Sequence, residues 1–297
     1  MTAAARIHDR GYSRYTDERT GTGGAVRSLY RQTLQQALGF RRSVWQKILP
    51  FLSIVLAYLP AIAFVGMAAF ANTQPRVAAQ VQELLPTYAE YYGFVYAAIL
   101  VFVAFVAPEL LCADRRTGML GLYLASPLTR GTYLLARGAG TLTLLLLVTL
   151  GPPLLMLVAN TLNGTGPTSV GEFLTTLGQV LVSGVVIGAF YGALSLAVAS
   201  LTTRRAFATV GIVFILFGSS VLTQLLIRRA RFSQDLFLAN LLLLPLELVF
   251  RIFGESGHIN RTASEAQTLP LALAWAGWTG GCALLVWLRY RRLEVTR

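Results

Sequence analysis

"FVYAAILVFVAFVAPELLCADRRTGMLGLYLASPLTR", residues 94–130, joins a long apolar run to a short segment rich in charge. The apolar run, residues 94–111, approaches the length needed to cross a bilayer core of ~30 Å, because a helix rises ~1.5 Å per residue. The segment after it brings Asp114, Arg115 and Arg116 together, and such a charge cluster is too costly for lipid. The stretch therefore predicts a membrane span that ends where a polar segment leaves the bilayer.

The rest of the chain also has the composition of an integral membrane protein. Of its 297 residues, 55% are hydrophobic and 13% are charged, which lies outside the usage of soluble globular proteins. Apolar runs long enough to span cover approximately residues 48–71, 94–111, 141–162, 177–201, 206–227 and 269–288. We therefore predict an all-α integral membrane protein with six transmembrane helices. Residues 1–47 would form a cytoplasmic leader and residues 48–297 one membrane domain.

The basic residues predict the orientation, because Lys and Arg accumulate in cytoplasmic loops. With the N-terminus inside, 19 of the 25 Lys and Arg residues lie on the cytoplasmic side. Arg228, Arg229 and Arg231, directly after the fifth span, are exceptions. We predict a multi-pass protein of the plasma membrane with both termini cytoplasmic. The net charge of +12 then reflects topology, and we expect no nucleic-acid partner because the charges are scattered without a basic domain.

The leader contains an amphipathic helix just before the first span. Its apolar residues recur at three- and four-residue spacing and form one stripe, consisting of Val26, Leu29, Tyr30, Thr33, Leu34, Ala37 and Leu38. The opposite face carries Arg27 and Arg31. A cationic amphipathic helix at this place suits the membrane interface, so we predict an interfacial elbow helix. Packing on a soluble partner is the alternative.

A further apolar segment lies between the fifth and sixth spans. "LFLANLLLLPLELVF", residues 236–250, is only about 15 residues long and contains Pro245. Runs of this length are typical of re-entrant or interfacial segments. A seventh span here would also place the Arg-rich C-terminus outside, so we predict a re-entrant or interfacial segment.

The fourth predicted span carries glycines at four-residue spacing, Gly184, Gly188 and Gly192. Glycines at this spacing let another helix approach closely. The motif does not identify that helix, which could belong to the same bundle or to a second copy in a dimer or gating contact.

Residues for enzyme or ion chemistry are missing from the predicted spans. No ionisable residue lies near the middle of any of the six runs, which disfavours a transporter coupled to protons or sodium. The only histidines, His8 and His258, fall on opposite sides of the membrane, so neither a hydrolase nor a metal site is indicated. The only lysine, Lys47, is not part of a phosphate-binding loop. We predict that the chain is not an enzyme and binds no cofactor itself.

The segment between the second and third spans contains a short amphipathic helix. A helix over residues 117–125 measures ~14 Å, which is too short to cross and suited to docking in a groove of a cytoplasmic partner. Its apolar face consists of Met119, Leu120, Tyr123 and Leu124. A plain positive-inside loop would explain the arginines of the segment but not this apolar face.

Charged residues flank that helix. We expect Asp114 to favour its N-terminus electrostatically. Arg115 and Arg116 could pair with carboxylates of the partner. Glu109, at the end of the second span, would help to fix these polar contacts.

Two segments of the chain resemble a known family. "APELLCADRRTGMLGLYLASPLTRGTYLLAR", residues 107–137, is similar to the P-E-L…D-R-R…L-Y-L…P-L-[ST]-R-x-x-Y segment of permease subunits of ABC-2 type ATP-binding cassette transporters. "IHDRGYSRYTDERTG", residues 7–21, resembles the D-x-G-Y-x-x-Y-x-x-x-R leader of one bacterial branch of that family. The leader residues concerned are His8, Asp9, Arg10, Gly11, Tyr12 and Tyr15. The likeness covers essentially the whole chain, since the order of leader, elbow helix and spans is also that family's plan.

The resemblance implies a function as well as a fold. It implies a permease that pairs with an identical copy or a paralogue and is bound by two ATPase subunits, which hold ATP and Mg²⁺. Residues 114–124 would be the coupling helix that moves when ATP closes the ATPase subunits. The activity would be export of a lipid, drug or antibiotic-like molecule. The alternative from another class is an ATP-independent channel or scaffold without a nucleotide-binding partner.

Overall fold

The computed structural model describes residues 20–39, 44–73, 80–81, 84–229, 234–255 and 268–292. Regular secondary structure in these ranges is entirely helical. In chain order the elements are α1 (Gly21–Ala37), α2 (Val44–Thr73), α3 (Tyr88–Val101), a π-helical turn (Phe102–Val106), α4 (Ala107–Arg116), α5 (Met119–Ala125), α6 (Arg130–Leu162), α7 (Val170–Leu201), α8 (Arg205–Arg229), a 3₁₀ turn (Gln234–Ala239), α9 (Leu244–Ile252) and α10 (Thr268–Arg292).

Six helical stretches within the described ranges are long and apolar enough to cross a membrane. They are Lys47–Thr73, Tyr88–Arg116, Arg130–Leu162, Val170–Leu201, Arg205–Ile227 and Thr268–Arg292. The predicted all-helical fold with six helices of spanning length is confirmed, and these helices indicate a multi-pass membrane protein. Several helices extend past the predicted ends, because capping groups and not hydropathy set the first turn. The second span begins at the Thr87–Glu90 capping box and the third at Thr129 and Thr132.

Successive spans run in opposite directions. The C-terminal ends of α4, α7 and α10 therefore lie on the same side of the bundle as the N-terminal ends of α6 and α8. We call this side the arginine end. Three arginines there bind neighbouring spans. Arg115 binds the end of α7, Arg130 binds the end of α10, and Arg205 binds the carboxylate of Glu109 in α4. We call the opposite end of the bundle the far end.

Helix α7 lies at the centre of the bundle and packs along α6 and α10. Its glycine stripe faces α6. A Cβ atom added to Gly184 would clash with the side chain of Leu150, and one added to Gly192 would lie 3.3 Å from Leu145 Cδ1. Gly188 meets α6 in the same way. Of the two partners that the sequence left open, the glycines therefore face a helix of the same bundle.

The second span is interrupted by the π-helical turn between α3 and α4. Such a turn widens the helix and disturbs the regular backbone hydrogen bonding. Two carbonyls of the turn are bound by side chains of α8. Ala104 O accepts from Thr209 Oγ1 at 2.7 Å, and Phe105 O accepts from Arg205 Nη2 at 2.8 Å. These bonds tie the start of the fifth span to the second span.

Between the far ends of α8 and α10, residues 234–252 form the 3₁₀ turn and α9, joined through a tight turn at residues 240–243 that lies inside the bundle. With nine residues, α9 is ~14 Å long and too short to span alone. The carbonyl of Leu242 accepts hydrogen bonds from the hydroxyls of Tyr191, at 2.7 Å, and Tyr96. The amide of Leu241 donates to Ser219 Oγ at 3.2 Å. Irregular backbone buried in the protein is thus provided with hydrogen-bond partners.

Candidate functional site

The short helix α5 connects the second and third spans at the arginine end and lies outside both. It is set off from α4 by Gly118, whose φ of +71° is left-handed. Glycine adopts this conformation without the clash that a Cβ atom causes. The chain therefore turns sharply after Arg116, and α5 lies against the bundle end as a separate element.

Helix α5 has an inward face and an outward face. Leu120 and Tyr123 pack on buried residues of the same chain. On the other side, Leu122 is 65% exposed and Met119 is 36% exposed. Leu124 is half-buried. Sequence spacing predicts one docking face, without Leu122, that consists of Met119, Leu120, Tyr123 and Leu124. The structure turns Leu120 and Tyr123 inward and leaves Leu122 as the most exposed large apolar side chain of the helix.

Tyr123 connects α5 with α1 and α6. Its hydroxyl accepts a hydrogen bond from Gln32 Nε2 at 2.9 Å, and its ring centroid lies 5.8 Å from Arg137 Cζ. Burial raises the pKa of Tyr123, and the negative charge of Asp114 raises this pKa further. The hydroxyl therefore stays protonated at neutral pH, and the ring stays neutral beside the guanidinium.

Behind Tyr123 lies a buried ion pair between Arg137 of α6 and Asp114 of α4. Arg137 is 0% exposed and Asp114 is 4% exposed. Tyr133 donates from its hydroxyl to Asp114 Oδ2 at 2.7 Å. Arg137 Nη1 donates to Thr33 Oγ1 and to Gln36 Oε1, each at 3.0 Å. We call these five residues the guanidinium cluster.

The cluster joins three elements that are separate in sequence, since Thr33 and Gln36 belong to α1. Buried charges are stable only when they are paired and hydrogen-bonded, and this pair has both kinds of partner. Without any one of the three elements, a buried polar group would lose its hydrogen-bond partner in an apolar environment. The cluster therefore holds α1, α4 and α6 in one arrangement directly behind α5.

Two expectations about these charges are corrected. Asp114 does not lie at the start of α5, because α4 continues to Arg116 and Gly118 separates the helices. The predicted third span begins only at residue 141, which places Arg137 in the cytoplasmic loop, whereas Arg137 lies inside α6. A lone arginine among apolar residues, inside what proves to be α6, was the signal for a buried partner.

The remaining predicted charges have different surroundings. Arg115 Nη1 donates to the carbonyls of Ser200 and Thr202 at the end of α7, a stabilising place for a cation. Arg115 is thus bonded within its own chain through Nη1, and its pairing with a partner carboxylate stays a prediction. Glu109 Oε2 lies 2.6 Å from Arg205 Nη1. Arg116 is exposed, close in sequence to the exposed Met119.

The apolar stripe of α1 is directed at the bundle. Leu29, Thr33 and Ala37 are buried, and Tyr30 is hydrogen-bonded to Thr143 of α6 at 3.0 Å. Arg27 and Arg31 are exposed. The buried part of the stripe therefore packs on the chain's own spans. The leader residues His8, Asp9, Arg10, Gly11, Tyr12 and Tyr15 lie outside the described residues.

Among the residues that the structure describes, no group of three or more His, Cys, Asp or Glu side chains is placed to hold a metal ion. No family model matches the chain, and no curated protein is significantly similar to it.

Proposed function

We propose that the chain is the permease subunit of an ABC-2 type transporter, forming the translocation path of a dimer that separate ATPase subunits power. The observation that carries the proposal is α5, a short helix outside the spans with an exposed apolar face and an inward face anchored at the guanidinium cluster. The resemblance of residues 107–137 to the family's permeases supports the same reading.

The outward face of α5 has the features of a docking surface for a protein. Leu122 and Met119 are large apolar side chains that lie beyond the spans. Lipid tails are therefore not expected to cover them. The exposed Arg116 lies beside them in sequence. A central apolar anchor with a polar rim is the usual composition of a protein interface. The proposed occupant is an ATPase subunit that binds ATP and Mg²⁺.

The inward face supports transmission of movement from such a partner. Displacing α5 moves Tyr123, which contacts Gln32 of α1 and Arg137 of α6. The buried pair of Arg137 with Asp114 connects the same point to the second span. A displacement of α5 is therefore transmitted to two spans and to α1, as a coupling helix requires.

The proposal includes an orientation, with the arginine end cytoplasmic, α1 as an interfacial elbow helix and residues 234–252 as a re-entrant segment. The exposed Arg27 and Arg31 of α1 suit an interface. In a cysteine-free background, a cysteine at Asn163 should react with an external impermeant maleimide, and one at Thr129 should not. Labelling in the reverse pattern would contradict this orientation.

Purification through a tag on this chain tests the function. The wild-type chain should carry a nucleotide-binding subunit and vanadate-sensitive ATP hydrolysis, while the chain stripped of its partner should show neither. Leu122→Asp should weaken the affinity for the nucleotide-binding subunit about thirtyfold, as expected for loss of an anchor residue. Leu84→Asp is the matched control, since Leu84 is 70% exposed at the far end. Hydrolysis by the isolated chain would overturn the proposal, and a wild-type chain without any ATPase would favour the channel or scaffold.

The substrate class proposed is a lipid, drug or antibiotic-like molecule moved outward, and the second permease is either an identical copy or a paralogue. This part rests on the resemblance alone.

A further inference from the structure

A groove with small residues at its base lies between α6, α7 and α10 at the arginine end. Its volume is about 530 Å³, within the range of small-molecule sites. Leu135 of α6 and Trp287 of α10 line its sides. The small residues at its base belong to α7 and are Gly188, Ala189, Gly192 and Ala193. The groove is therefore an apolar recess in the surface of the spans and not a gap between polar loops.

The length of the groove corresponds to one leaflet of a bilayer. Along α6 its lining runs from Gly131 to Leu142, which is about 16 Å of helix. Half of a hydrocarbon core of ~30 Å is ~15 Å. An acyl chain that starts at the arginine end would thus be covered along most of its depth.

Two arginines lie where the groove begins. Arg130 directly precedes the lining residue Gly131, and its Nη1 donates to the carbonyl of Arg291. The guanidinium of Arg291 lies 5.3 Å from the ring centroid of Trp287, which lines the groove. Both arginines are exposed. Within the described part of the chain, neither is ion-paired with an acidic side chain.

We infer that this groove binds an anionic phospholipid, with an acyl chain along Gly138 and Ala193 and the phosphate at Arg130 and Arg291. Basic groups between spans next to an apolar recess provide what such a lipid needs. Charge selects the headgroup, because a zwitterionic lipid offers no net negative charge to the two guanidinium groups. The inference needs only that the chain spans a membrane, so it stands apart from the proposed transport function.

Native mass spectrometry of the full-length protein, with any subunits that copurify, tests the site. Phosphatidylglycerol and phosphatidylcholine with identical acyl chains are titrated separately, and the dissociation constant of the first bound lipid is measured. Phosphatidylglycerol should bind about thirtyfold more tightly, the preference expected from two basic groups near a membrane surface. The double variant Arg130→Gln/Arg291→Gln should remove this preference and leave phosphatidylcholine binding unchanged.

Filling the groove should weaken the binding of both lipids. A Cβ atom at Gly138 would meet only Leu196 Cδ1, at 4.0 Å, and leucine favours a helix more than glycine does, so Gly138→Leu should fold. Ala193→Leu fills the groove from the facing helix. The controls are Arg204→Gln, exposed at the same end, and Gly178→Leu, where a Cβ atom meets nothing within 4 Å. Both should bind as wild type.

Equal affinity for the two lipids, or an equal effect of Arg204→Gln and the double variant, would overturn the headgroup assignment. Unchanged lipid binding in both Gly138→Leu and Ala193→Leu would overturn the site. If these two variants instead separated a dimer into monomers, the groove would hold a second copy and the inference would be wrong.

Discussion

The two ends of the bundle satisfy buried polar groups in different ways. At the arginine end, the guanidinium cluster pairs two charges, Arg137 and Asp114, and surrounds them with hydrogen bonds. Inside the bundle, toward the far end, the turn at residues 240–243 is held by neutral hydroxyls, as Tyr96 and Tyr191 both donate to the carbonyl of Leu242. A charge pair fails when either member is lost, whereas two donors on one carbonyl can replace each other. The first arrangement is rigid and the second tolerates change.

This difference corresponds to the proposed roles of the two ends. Beside α5, a rigid connection is useful, because movement of the docking helix reaches α1, α4 and α6 together. Around α9, the backbone only needs hydrogen-bond partners, since nothing proposed for that end requires transmitted movement.

The largest effect is expected from Asp114→Asn. It leaves the guanidinium of Arg137 buried without its counter-charge, which typically costs about 3–5 kcal/mol. The free energy of unfolding in mixed micelles measures the change. In Asp114→Leu/Arg137→Met both charges are removed, and most of the stability should return. A loss below about 1 kcal/mol for Asp114→Asn would show that the pair is not the rigid element described.

A smaller and non-additive effect is expected at the far end. Tyr96→Phe and Tyr191→Phe should each cost about 1 kcal/mol or less, because the other hydroxyl still donates to Leu242 O. The double variant leaves that buried carbonyl without either donor and should cost about 2–3 kcal/mol. The same unfolding experiment gives the coupling energy of the pair. Strictly additive losses would contradict the shared acceptor.

The smallest effect is expected for Arg115→Ala. This arginine binds the last carbonyls of α7, and a cation at a helix C-terminus contributes about 0.3–1 kcal/mol. Arg116→Ala removes the neighbouring exposed arginine and should leave the unfolding free energy unchanged. If the two variants lose the same amount, Arg115 does not act as a cap.

The spans could be predicted from sequence, because hydropathy over about 20 residues depends only on composition. The environment of Arg137 could not, since its burial depends on three elements, one of which, α1, lies more than 90 residues away in sequence. The same holds for α5. Spacing predicted an apolar helix, but the choice between Leu122 and Tyr123 as the exposed residue depends on how α5 is rotated against α1 and α6. That rotation is set by tertiary contacts, including the bond from Gln32 to Tyr123.

The central claim is that the outward face of α5 docks on an ATPase subunit while its inward face stays within the chain. A photo-reactive phenylalanine analogue placed at position 122 or at position 123, followed by cross-linking in intact cells and mass spectrometry, tests it most directly. At position 122 the account predicts a cross-link to a protein with an ATP-binding cassette, and at position 123 only cross-links within the chain. Cross-links from position 122 to lipid alone, or the same ATPase product from both positions, would contradict it.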